Sequence, residues 1–336
     1  MTRLSFLDLV PVAEGSSLRS ALAGAADIAA HCDALGYHRY WVAEHHGMPG
    51  IGGAATSVVL AHVGHATSRI RIGSGGIMLP NHAPLQIAEQ FGTLDALFPG
   101  RIDLGLGRAP GSDQRVAKAM RRTLHSDPNA FPRDVMELQA YFAGDPDFGF
   151  IATPGAGANV EMWILGSSTF GAQLAAALGL PYGFASHFAP GQMDQAIAIY
   201  REHFRPSEFL AEPRVMVGYN IFAADDQAEA EYLATSMQQA FVALRTGQPG
   251  KLKPPVRNYA DTLAPPVRAM LDDVLAVTSV GTPDRVAADL SAFIARTQAD
   301  EIIVTSQIFD HQARKRSTAI AAEAFAVATE GVGAGA

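Results

Sequence analysis

The chain has a single cysteine, Cys32, among 336 residues. No intrachain disulfide can form, which excludes a bridge-stapled scaffold. Cys32 falls inside a helical pattern and reads as a small core hydrophobe. Positive charge is also short: 25 Lys and Arg stand against 33 Asp and Glu, for a formal net charge of −8. That balance argues against a nucleic-acid surface and favours solubility. No apolar run approaches the roughly 20 residues of a membrane-crossing helix. The N-terminus, MTRLSFLDLV, lacks the long apolar stretch and cleavage site of a signal peptide. These absences point to a cytoplasmic protein with neither a membrane nor a nucleic-acid partner. No HxH or HxxxH spacing and no cysteine cluster marks a metal site, so none is expected.

What the chain does have is a regular alternation of apolar runs and helical stretches. The runs begin at Leu4, Arg39, Ile70, Arg101, Glu161, Pro181, Arg214 and Glu301. Near-continuous apolar runs of this length suit strands buried on both faces of a parallel sheet. Between the first two, Leu18, Leu22, Ala26 and Ala29 keep helical spacing, with Ser16 or Ser17 as cap and Gly36 as the stop. Ile87, Phe91, Leu94 and Phe98 share one face of a second helix, and Thr282-Pro283-Asp284 opens another at Arg285–Arg296. Eight strands each followed by a helix predict an α/β fold of the (β/α)8 TIM-barrel type, with a doubly wound sheet as the competitor. The barrel is expected to occupy residues 1–330 as one domain, with 331–336 a flexible tail. Two connections are long: Ala109 to about Phe131 after the fourth strand, and Ala223 to about Val280 after the seventh. The second holds a helix, Ala228–Leu244, then a proline-rich stretch. Both leave the strand ends where barrel active sites sit, so residues 223–280 are a lid candidate or a plain surface insertion.

Candidate chemistry collects at the same strand ends. RIDLGLGRAPGSD falls one residue short of a dinucleotide fingerprint. It follows the fourth strand, and Pro110-Gly111 breaks the backbone where a nucleotide-binding helix must begin, so that reading is rejected. Arg108 then faces the barrel mouth, either gripping a phosphate or pairing with a neighbouring acid. ILGSSTFG places Ser167, Ser168 and Thr169 at a helix start, as a phosphate cradle or as a simple cap. Gly73, Gly75 and Gly76 weaken the third strand, which calls for a flat ligand against bare backbone, a bulge, or a bend filled by a neighbour. Glu44-His45-His46 ends the second strand. One histidine is expected to point into the mouth as a proton shuttle while the other, with Glu44, braces the strand. His62 and His65 read as helix-surface or packing residues, and His82 as a loop residue on the same rim. Gln307, Asp310 and Arg314, at the end of the eighth strand and the helix start, read as substrate contacts or, by preference, as capping and bracing residues.

These sites, together with YHRYWVAEHHG, SRIRIGSGGIMLPNHAP, ILGSSTFGAQLAAALGLPYGFASHF and VGTPDRVAADLSAFIARTQADEIIV, resemble the bacterial luciferase-like family of flavin-dependent monooxygenases, in particular its single-gene branch. The resemblance implies a (β/α)8 barrel that binds reduced flavin mononucleotide (FMN) at the strand C-termini. On it, Arg108 and Ser168, with Ser167 and Thr169 beside them, match phosphate-binding positions. Gly75-Gly76 matches a non-proline cis peptide under the flavin ring, and His45 matches the active-site histidine. It further implies a homodimer, a separate flavin reductase as partner, and oxygenation of a small organic substrate through a C4a-(hydro)peroxyflavin. Light-emitting members have cysteine where this chain has Gly107, alanine at positions 75 and 76, and an acid at position 167, so light emission is not expected. The alternatives are a deazaflavin-dependent hydride-transfer oxidoreductase of the same fold, a non-catalytic flavin-binding protein, and a hydrolase or lyase unrelated to flavin.

Overall fold

A computed structural model describes residues 2–109, 116, 119–120 and 130–333. In chain order the elements are β1 (Arg3–Asp8), α1 (Leu18–Ala34), β2 (Arg39–Val42), α2 (Thr56–His65), β3 (Arg71–Met78), α3 (Pro84–Leu97) and β4 (Ile102–Gly107). Then come α4 (Ala130–Ala143), β5 (Glu161–Gly166), α5 (Thr169–Leu178), β6 (Tyr182–Phe184), α6 (Met193–His203) and β7 (Val215–Ala223). The chain continues through α7 (Gln227–Arg245), α8 (Pro265–Val274), β8 (Thr278–Gly281), α9 (Pro283–Thr297), β9 (Glu301–Thr305) and α10 (His311–Gly333).

All strand pairs are parallel, and the order β1-β2-β3-β4-β5-β6-β7-β9 closes when β9 pairs with β1. Eight strands with helices around them make a (β/α)8 TIM barrel. The eight runs read from the sequence are these eight strands. The ninth strand, β8, lies at the end of the second long connection, where no strand is expected. Asn220 pairs with Thr305 of β9 and also with Thr278 of β8. β8 therefore lies across β7 from β9, beyond the end of the short strand β6. Four residues with two of them buried carry too weak a pattern to stand out beside a helix. Most of the first long connection lies outside the described residues.

Local signals explain the helix ends. Ser17 caps α1, its hydroxyl accepting from Ser20 N at 3.1 Å, and Gly36 turns the chain away at φ +80°. Thr282 occupies the cap position of α9 without a side-chain bond, so Pro283 at the first helical position does the setting there.

The barrel interior is filled from below. Leu7, Trp41, Ala43, Trp163, Met216 and Ile303 form one buried cluster, with the two indoles edge to face at 5.6 Å. Beneath them Arg39, fully buried, reaches Asp103 at 2.7 Å, Glu301 at 3.0 Å and Glu161 at 3.2 Å. Arg71 bonds Asp103 at 2.5 Å, and Arg214 bonds Glu161. Three guanidinium groups thus face three carboxylates at the N-terminal end. Burial pushes the Glu301 carboxyl up despite Arg39 and Ser5, whereas Arg39 and Arg71 overcome burial at Asp103 and hold it down. The larger apolar cluster fills the layer between strands and helices and includes Cys32.

Candidate active site

The open end of the barrel is built from the segments that follow β2, β3, β4, β5 and β6. Past Val42 the chain leaves the strand, so Glu44, His45 and His46 are not held in strict alternation. Glu44 is buried and turns inward as a hub. Its Oε1 accepts from His46 Nε2 at 2.6 Å and His82 Nε2 at 2.8 Å, and its Oε2 accepts from Met78 N at 3.0 Å. Burial works against the charge, but these bonds win and hold the Glu44 carboxyl below its ordinary range. The carboxylate thereby ties the β2 end to the β3 end, and His46 and His82 are braces. The three ligand atoms lie within 4.8 Å of one another, as a divalent ion would require. Glu44 and each histidine, however, are closer than the about 3.3 Å between ligands around tetrahedral zinc, so they would have to part first.

His45 takes the other direction. Its ring makes no hydrogen bond among the described residues, and its Nδ1 is buried and unpartnered. Burial pulls its pKa below the ordinary value, with Glu44 opposing. The ring is neutral near pH 7. His187, three residues past β6, was given no role by sequence reasoning; the available signal was its place just beyond a barrel strand's end. Its Nδ1 is likewise buried and unpartnered, and burial with His45 nearby pulls its pKa down to about 4.

The floor below these rings is glycine. Gly75-Gly76 is a cis peptide, and the β3–β4 register shifts between Gly75 and Ile77, which is a bulge. A Cβ at Gly75 would lie 2.6 Å from Leu7 Cδ1, and one at Gly76 would lie 2.6 Å from Gly105 O. Of the readings open at the sequence level, the bulge and the neighbour-filled bend both describe what is there.

On the far side, β4 and β5 pair in register up to Gly107 and Leu165, so Arg108 emerges beside Gly166. The Arg108 guanidinium carbon lies 4.0 Å from the centre of the Phe170 ring, in the first turn of α5. It makes no ion pair among the described residues. Ser168 is the N-cap residue of α5, yet its hydroxyl makes no cap bond. The simple-cap reading therefore fails, and the first turn keeps unsatisfied N–H groups. Small buried residues, Gly171, Ala172, Ala175 and Ala176, let α5 sit close to the strands. Among the described residues a cation without an anionic partner thus stands beside the Ser167-Ser168-Thr169 turn and the positive end of α5.

Of the three residues read as braces, Arg314 and Asp310 do brace. Arg314 donates to Asp8 Oδ1 at 2.7 Å and to Ser306 O at 2.8 Å, and Asp310 accepts from Ala313 N at 2.8 Å. His65 packs against Phe98. Residues 223–280 hold α7, α8 and β8, and an apolar cluster including Phe222, Leu233, Phe241, Leu271 and Ile308 ties them to the barrel. Among the described residues, no helix is long and apolar enough to cross a membrane.

Residues 2–301 match the family model described as luciferase-like monooxygenase. A luciferase-like monooxygenase of Escherichia coli K12 is 52% identical over 318 residues, 94% of this chain and 95% of that protein. The crystal structure of apo-MsnO8 superposes with a TM-score of 0.86 at 32% identity, covering 97% of this chain and 99% of that one. The oxygenating constituent of 3,6-diketocamphane monooxygenase from Pseudomonas putida, solved in complex with FMN, shares the fold. Its TM-score is 0.70 at 17% identity, with 95% and 96% of the two chains covered.

Proposed function

Because the chain belongs to the luciferase-like monooxygenase family and is an oxidoreductase, we propose that it oxygenates a small organic substrate with O2, using reduced FMN delivered by a separate flavin reductase. The observation that carries the cofactor half is the pairing of Arg108, which lacks an anionic partner among the described residues, with the uncapped start of α5. Those groups fit a phosphate monoester: a guanidinium for two of its oxygens, hydroxyls and helix N–H groups for the rest. By the family resemblance, the flavin ring system would lie over the Gly75-Gly76 cis peptide. When bound, reduced flavin supplies two electrons and two protons, so that one oxygen atom enters the substrate and the other leaves as water.

The rest is the work of this chain's residues. Arg108 and Ser168 hold the phosphate, with Ser167 and Thr169 beside them. Leu7, Trp41 and Leu165 line the floor with apolar surface and keep water out from beneath. His45, neutral at working pH, holds or moves a proton at Nε2. Anaerobic titration with reduced FMN, followed by mixing with oxygenated buffer, tests this reading. Saturable binding and oxygen uptake altered by the protein are expected. Activity with a reduced deazaflavin coenzyme, and none with reduced FMN and O2, would overturn it.

A further inference from the structure

We propose that His45 and His187 form a two-donor subsite that binds an uncharged acceptor oxygen of the organic substrate and discriminates against carboxylates; this deepens the monooxygenase reading and rests on it for the reaction. β2 and β6 stand opposite each other in the eight-strand ring. His45 and His187 extend the two strand ends, and each is half-buried. The His187 ring lies directly on the backbone of Gly218, occupying the space a side chain there would fill. Its main chain is pinned on both sides. Ser186 Oγ donates to Gly218 O at 2.6 Å, and Asn220 Nδ2 donates to His187 O at 2.9 Å. The ring is therefore held in place before any ligand arrives.

The buried nitrogens decide what these rings offer. In both, Nδ1 is sealed off without a partner, while Nε2 is neither bonded nor sealed. A buried N–H with no acceptor is costly, so the proton belongs on Nε2 in each ring. Two N–H groups with no acceptor among the described residues then sit at the ends of two opposite strands, as donors do where an oxygen is to be held. Burial pulls both rings toward the neutral form, His187 to about 4, and the Glu44 carboxylate is the acid that acts on His45. Among the described residues an anionic ligand meets the Glu44 charge here and gains no cation. A carbonyl or similar oxygen accepts both bonds without charge.

The test uses the flavin-free protein with 2-heptanone and heptanoate as probes, in equilibrium dialysis at pH 7.5, plus nitrogen NMR of the histidine rings. Wild type is expected to bind the ketone in preference to the carboxylate, and the ketone is expected to move the His187 Nε2 resonance. His187→Phe should lose about tenfold in ketone affinity, the worth of one hydrogen bond. His187→Gln, which keeps an N–H donor, should lose less. Gly218→Ala, whose methyl group displaces the ring, should match His187→Phe. Equal binding of ketone and carboxylate, no ketone binding by wild type, or an unmoved His187 resonance would overturn the subsite. These last measurements need no variant, so a His187→Phe protein that fails to fold leaves the decision intact. Failure of reduced FMN to bind, with ketone preference preserved, would remove the flavin reading and leave the subsite standing. Flavin binding without ketone preference would do the reverse.

Discussion

Arg108 stacks over Phe170 at 4.0 Å, joining the end of β4 to the first turn of α5. The ring fixes the direction of a long side chain that has no acid to hold it among the described residues. A cation in front of an aromatic face keeps its outward N–H groups free for an anion. Charge-assisted bonds to a phosphate are worth about 1.5–3 kcal/mol. Arg108→Ala should therefore weaken reduced FMN binding about 10- to 200-fold. Phe170→Leu, which keeps the charge and loses the platform, should cost less. Anaerobic fluorescence titration measures both, and unchanged affinity in Arg108→Ala would remove Arg108 from the phosphate site.

Glu44 gives a pH-dependent expectation. Its folded pKa lies below the ordinary 4.5, so its stabilising effect is complete above pH 4.5. It is lost as the pH falls through the folded value. Glu44→Gln should destabilise by about 1–3 kcal/mol near pH 7, because His46, His82 and Met78 N lose a charged acceptor. The gap between variant and wild type should close toward pH 3. Urea unfolding at several pH values measures it; a gap independent of pH would contradict the hub.

Two histidines shape stability in the same direction on the acid side. His38 and His187 are both held to about 4, His38 by burial and the nearby Arg39 and Arg3. Each stays neutral in the fold down to that pH, yet takes up a proton near 6.5 when unfolded. Their contribution is full above pH 6.5 and is lost as the pH drops from 6.5 to 4, at about 1.4 kcal/mol per pH unit for each proton. His38→Gln and His187→Gln should each flatten the acid limb of a stability profile. Parallel limbs would count against the buried neutral rings.

At the other end of the barrel, Arg39→Met should be costly. It leaves Asp103 and Glu301 buried with too little positive charge, which typically costs about 3–5 kcal/mol. A fall of the chemical-denaturation midpoint with an unchanged slope is the expected result.

Most of the barrel was legible because parallel strands buried on both faces write themselves as apolar runs. β8 was not, since Thr278–Gly281 is short and buries alternate residues only. Arg108 and Ser168 were legible because strand ends carry function in this architecture. The structure adds the groups that lack a partner, and sequence cannot show a missing partner. Glu44 looked like one of two braces, and its grip on His46, His82 and Met78 depends on β2 and β3 ends meeting in space. His187 was silent because its significance lies in the empty side chain of Gly218, some thirty residues later.

The paired charges around Arg39 and the two tryptophans above them leave the barrel with a stopper at one end. Among the described residues, that leaves the opposite end of the barrel for ligands to enter. Whatever sits deepest must arrive first and depart last, so the sequence of arrivals is written into the architecture before any chemistry begins.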